Sequence, residues 1–167
     1  MKRMISLIAA LIVLSAMPAF AQAPKAGSLE GVWKVAEVVV TGANASTNSK
    51  PLPGLYIFTK KHYSQVLING TQPRPKFDAL KTPGKPTDAE KIARYEQWNP
   101  FAANSGTYEV KGTKLTRHPM VAKNEAVMTG PPIEQDIKME GNAVWLIAKS
   151  APGEPVSESR TKLVRLE

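Results

Sequence analysis

Hydrophobic positions in this chain come in short runs separated by turn-forming residues, the punctuation of a β-rich fold. Trp33 to Val40 is an apolar, β-branched run with Glu37 as its only acid. The polar stretch 41–53 that follows is predicted to be a loop with nothing to pack. Leu55 to Thr59 and Tyr63 to Ile68 read as two strands joined around Lys60-Lys61, and Asn69-Gly70 ends the second. A Pro- and Lys-rich loop, 70–86, then leads to TDAEKIARYEQW. Thr87 and Glu90 have capping-box spacing, Ala89, Ile92 and Ala93 make a modest apolar face, and Asn99-Pro100 is a stop. This is the one helix expected after the N-terminal leader.

Strands resume at Gly106. GTYEVKGTKLTRH predicts a hairpin that turns at Gly112. PPIEQDIKMEGNAVWLIAK predicts another, with Ile133, Gln135, Ile137 and Met139 on one face and a turn at Gly141-Asn142. In the closing SRTKLVRLE, Leu163 and Arg165 share one face and Val164 and Leu166 the other. The tally is about eight close-spaced strands with one inserted helix, which points to a meandering antiparallel barrel. Such a barrel is either filled by its own side chains or holds one small ligand.

The N-terminus has a different character. Lys2 and Arg3 precede an apolar run from Ile5 to Leu14, and Ala19-Phe20-Ala21 is a small-x-small cleavage pattern. This predicts a signal peptide over 1–21, an extension over 22–28 and one domain over 29–167, periplasmic or secreted after cleavage near Ala21. The apolar run is short for a span, so no stable membrane insertion is expected. The formal charge is +8, or +6 without Lys2 and Arg3. The basic residues are scattered and lack interleaved aromatics, so no nucleic-acid partner is predicted. The chain has no cysteine, which removes thiol catalysis, thiolate metal sites and disulfides. His62 and His118 are its only histidines, too few for a three-His metal site. No phosphate-binding, dinucleotide-binding, nucleophile-elbow or zinc-protease motif occurs, and no cofactor is expected.

Gly31-Val32-Trp33 at the start of the first strand resembles the G-x-W signature of lipocalins. The wider pattern is similar to the bacterial and fungal lipocalin-like domain family. It rests on LEGVWKV, GLYIFTKKHYSQVLI, SGTYEVKGTKLTRH, the Gln of PPIEQDIKMEG and the terminal TKLVRLE. The resemblance spans 29–167. The T-D-Y-like second motif of the transport lipocalins is absent, which favours the lipocalin-like branch. It implies an all-β, up-and-down barrel of calycin type. It also implies that Trp33 plugs the closed end, with Arg165, or alternatively Arg160, stacked on the indole as a cation–π partner.

For the interior, Tyr63, Gln65 and Leu67 fall on one strand face. Ser64, Val66 and Ile68 fall on the other, and by composition the second set reads as core. Tyr56, Tyr63, Gln65, Tyr108, His118 and Gln135 are the candidates for ligand contact, as polar or aromatic groups that would face a cavity. Adjacent residues alternate, so at most one of Arg117 and His118 faces inward, and the resemblance favours His118. Three functions are compatible with this pattern. The first is binding of a small, largely apolar or amphipathic ligand. The second is isomerase- or cyclase-type catalysis, with Glu37, Tyr108 or His118 as acid–base groups. The third is engagement or inhibition of an exported protein partner. Insert 70–103 would serve either as a cap over one barrel end or as a static plug.

Overall fold

The computed structural model describes residues 28–42, 44–76, 80–150, 154–155 and 157–167. The predicted signal peptide lies outside the described residues. Strand β1 (Gly31–Thr41) is followed by β2 (Ser46–Asn48), β3 (Gly54–Phe58) and β4 (His62–Ile68). Helix α1 (Asp88–Trp98) leads to β5 (Phe101–Lys111) and β6 (Lys114–Ala122). Helix α2 (Glu125–Thr129), β7 (Ile133–Glu140), β8 (Ala143–Lys149) and β9 (Glu158–Arg165) complete the chain. All pairings are antiparallel, and β1 pairs back onto β9, closing an eight-stranded up-and-down barrel. The predicted fold class is therefore the observed one.

The ninth strand, β2, corrects the expectation of a bare loop over 41–53. Its residues are polar, but Val38–Val40 lie beyond the end of the β1–β3 ladder and offer unpaired backbone groups. Ser46–Asn48 pair with them. Backbone pairing needs no apolar side chain, which is why composition hid it. Strand β5 likewise starts at Phe101 rather than Gly106, because Phe101–Ser105 complete the ladder on Ser64–Ile68. Helix α2 is an unexpected single turn, begun by Asn124, whose side chain accepts from the Ala126 amide.

Helix α1 forms over the predicted span with both bonds of the Thr87–Glu90 capping box. Lys123 donates to the carbonyls of Trp98, Asn99 and Phe101 at its C-terminal end, where a cation is favoured. The helix buries none of its residues, and Ile92, Tyr95 and Trp98 are exposed. It is not a static plug. Among the described residues of insert 70–103, Gly70 and Thr71 at its start and Ala102 at its end border the barrel's open mouth.

The core occupies one end of the barrel. Leu29, Trp33, Tyr56, Phe58, Tyr63, Leu115, Val144, Leu146 and Leu163 form it, each nearly or fully buried, with Tyr56 also bordering the open end. Register settles the face of β4. Tyr63 pairs with the inward Phe58 and Gln65 with the inward Tyr56, so Tyr63, Gln65 and Leu67 point in. The expectation that Ser64, Val66 and Ile68 form the core is corrected: Val66 is exposed, and Ser64 hydrogen-bonds Ser105 across the strand pair. Polar Gln65 masked the inner face. On β1 a bulge between Val35 and Glu37 shifts the alternation. Val38 and Val40 therefore join Val35 around the cavity, while Glu37 pairs with Lys162 on the outer face.

Candidate functional site

Two depressions mark the two ends of the barrel. Beside the closed end lies one of about 610 Å³, bounded by Leu29, Lys60, Tyr108, Ile137, Lys138 and Met139. At the other end the barrel opens into a cup of about 590 Å³. Both sizes are ordinary for small-molecule sites. The cup is distinguished by its lining: Val35, Val38, Val40, Leu52 and Leu67 give it apolar walls, and polar groups, among them the buried Arg117, converge at its base.

Those groups come from four strands: Tyr56 from β3, Gln65 from β4, Arg117 from β6 and Gln135 from β7. On β6, Leu115 and Arg117 alternate inward with Thr116 and His118 outward. Arg117 pairs in register with Tyr108 and Ile133, and is only 4% exposed. Its Nη1 donates to Gln65 Oε1, and its Nη2 donates to Gln135 Oε1 at 2.8 Å. The guanidinium carbon lies 5.2 Å from the ring centre of Tyr63 and 6.0 Å from that of Tyr56. These rings favour a cation without neutralising it. Among the described residues, Nε of Arg117 has no hydrogen-bond partner, and neither hydrogen-bond acceptor of the guanidinium is a carboxylate.

The electrostatics follow from burial. Desolvation lowers the Arg117 pKa from its ordinary value, opposed by the phenols of Tyr56 and Tyr63. A guanidinium starts so high that the group remains a cation at neutral pH. Burial raises the Tyr56 pKa, with Arg117 opposing, so the phenol stays protonated and able to donate. Arginine has donors only. Both glutamines must therefore turn their carbonyl oxygens toward it, which leaves their Nε2 groups as donors on the far side. Neither Nε2, nor the Tyr56 hydroxyl, donates to a described residue. The base of the cup thus combines a net positive charge with amide and hydroxyl donors, and no Asp or Glu is among its described lining residues.

The predicted ligand contacts separate into three places. Tyr56, Gln65 and Gln135 line the cup. Tyr63 lies beneath its base, 3% exposed, with its hydroxyl donating to Asn104 Oδ1 at 2.7 Å. Tyr108 belongs to the other end, where its hydroxyl donates to the Thr59 carbonyl at 2.6 Å. His118 is a correction. It stands on the outer face with Nε2 3.9 Å from Glu109 Oε1, and Arg117 takes the inward position instead. The sequence does carry a signal for Arg117, since it is in phase with Leu115, as Gln65 is with Tyr63 and Gln135 with Ile137. Three polar residues at inward positions on three strands are expected to meet.

Glu37, Tyr108 and His118 lie on the outer face, at the closed end and on the outer face again, so the acid–base groups of the enzyme reading are not brought together. Among the described residues no group of three or more His, Cys, Asp or Glu could hold a metal ion.

Barrel closure has the expected participants. Arg165 lies 4.1 Å from the centre of the Trp33 indole and donates to the Ser28 and Glu30 carbonyls. Trp33 Nε1 donates to the Leu29 carbonyl at 2.8 Å. Arg160, the alternative, instead pairs with Glu158. Compared with known proteins, the chain matches no family model, no curated protein and no solved structure.

Proposed function

We propose that this chain is an exported, lipocalin-like barrel that binds a small, largely apolar or amphipathic ligand in the open cup. The supporting observation is the asymmetry of the interior. At the closed end the buried cluster around Trp33 occupies the barrel axis, and the depression of about 610 Å³ lies beside it, whereas the open end leaves about 590 Å³ lined by Val35, Val38, Val40, Leu52 and Leu67. A barrel selected for stability alone would fill that space, because interiors pack densely and voids cost stability. Export rests on the leader pattern from Lys2 to Ala21. The mature chain isolated from its host should begin at Gln22.

The test is titration with the neutral apolar fluorophore N-phenyl-1-naphthylamine, in the wild type and in Leu67→Trp. Leu67 lines the cup, so the indole would occupy part of its volume. Saturable uptake near one equivalent, lost in a Leu67→Trp protein that still unfolds cooperatively, supports the proposal. No uptake by the wild type overturns it. Uptake unchanged in Leu67→Trp places the probe elsewhere and also counts against the cup.

A further inference from the structure

We infer that the ligand of the cup carries a singly charged anionic head group, such as a carboxylate, seated at its base against Arg117, Gln65, Gln135 and Tyr56, with the apolar remainder along the valine wall. This inference rests on the binding reading above and names the class of ligand.

Three observations carry it. First, Arg117 is a nearly buried cation whose protein acceptors are two neutral amides. A buried charge without a counterion is expensive, and natural interiors avoid it unless something completes the pair. Here the missing partner is an anion, and the cup opens onto the place where it would sit. Second, the amides extend the polarity of the cation rather than hide it. Both oxygens are held by Arg117, so both Nε2 groups and the Tyr56 hydroxyl present donors, and an incoming head must supply acceptors. A primary ammonium has no acceptor and would add a second positive charge. An alcohol satisfies donors but leaves the cation unbalanced. Third, the described lining has no acidic residue to compete for the guanidinium. One positive charge matches one negative charge, and hydrogen bonds with an ionised acceptor are the stronger kind.

Isothermal titration of the purified protein with decanoate, decanol and decylamine separates charge from chain length. Decanoate is expected to bind at least tenfold tighter than decanol, with decylamine weakest. In Arg117→Met the preference for decanoate over decanol should vanish while decanol binding persists. Should Arg117→Met fail to fold, Gln135→Glu supplies the missing carboxylate from the protein itself and should remove the same preference. Equal or tighter binding of decanol or decylamine by the wild type overturns the inference. So does a decanoate preference that survives in both variants, and so does failure of all three ligands in a protein that takes up N-phenyl-1-naphthylamine. Failure of the three ligands and of the neutral fluorophore together overturns the binding reading itself.

Discussion

Arg165 lies over the Trp33 indole at 4.1 Å, and the two residues face each other across the β1–β9 pair that closes the barrel. The contact joins the first strand to the last at the packed end. The same guanidinium donates to the carbonyls of Ser28 and Glu30, fastening the segment that leads into β1. Arg165→Ala removes the cation–π contact, worth about 0.5–2 kcal/mol, and leaves two carbonyls to find other donors. The expected loss is about 2–4 kcal/mol in urea unfolding. Arg160→Ala, which breaks only an ion pair with Glu158 outside the barrel, should change stability by less than about 1 kcal/mol. Equal effects of the two substitutions would refute the closure role of Arg165.

Gly31 is fixed by the same junction. Its φ is +133°, a backbone conformation that residues with a Cβ rarely adopt. A Cβ there would also collide with the Glu167 carbonyl oxygen and with Nη1 of Arg165. Gly31→Ala should therefore cost about 2–4 kcal/mol, combining backbone strain with displacement of the arginine. Near-UV circular dichroism of Trp33 should change as well. A stability within about 0.5 kcal/mol of the wild type would show that the terminus relaxes around the methyl group.

The barrel was legible because strand periodicity and turn chemistry are local. Gly112 and Gly141 begin the two tight turns as expected, both with positive φ. The Trp33–Arg165 pair was legible through a resemblance and the phase of the last strand. The cup was less so, for reasons visible in particular residues. By composition Ser64, Val66 and Ile68 compete with Tyr63, Gln65 and Leu67 for the inner face of β4, and only the register with Tyr56 shows that Gln65 points inward. Arg117 and His118 are neighbours of opposite facing, and a charged side chain is the less obvious choice for an interior. The bulge after Val35 reverses the phase of β1, a long-range effect of pairing with β9 that no alternation count contains.

The capping box of α1 predicts an acid-sensitive helix. Backbone and side-chain hydrogen bonds, first from the Lys81 amide and then from Thr87, hold the Glu90 carboxyl down to about 2 from its ordinary 4.5. A depressed carboxyl pKa favours the folded state above the unfolded value, and the gain disappears as pH falls through the folded one. The α1 cap should therefore be complete above about pH 4.5 and lost progressively toward pH 2. Amide exchange at Thr87 and Lys81 should accelerate across that window. In Glu90→Gln the acceleration should be absent, and a wild-type pattern there would assign the transition to another group.

Arg117 predicts a trade between stability and binding. Its charge is desolvated with no carboxylate partner among its described contacts, held only by two amides and the faces of two phenols. Replacing a buried charge by an apolar residue of similar length is often neutral or stabilising, because the desolvation cost disappears. The Gln65 and Gln135 oxygens it leaves behind lie at the base of an open cup, where water can reach them. Arg117→Met should therefore raise stability by about 1–2 kcal/mol in denaturant unfolding, even as the preference for an anionic ligand is lost. Arg117→Lys should do the reverse. It keeps the charge but cannot hold both glutamine oxygens with one planar fork, so stability should fall while some anion preference remains. A loss of more than about 1 kcal/mol in Arg117→Met would mean that the guanidinium is retained as a structural tie between β4 and β7, and the pairing of gained stability with lost binding would not hold.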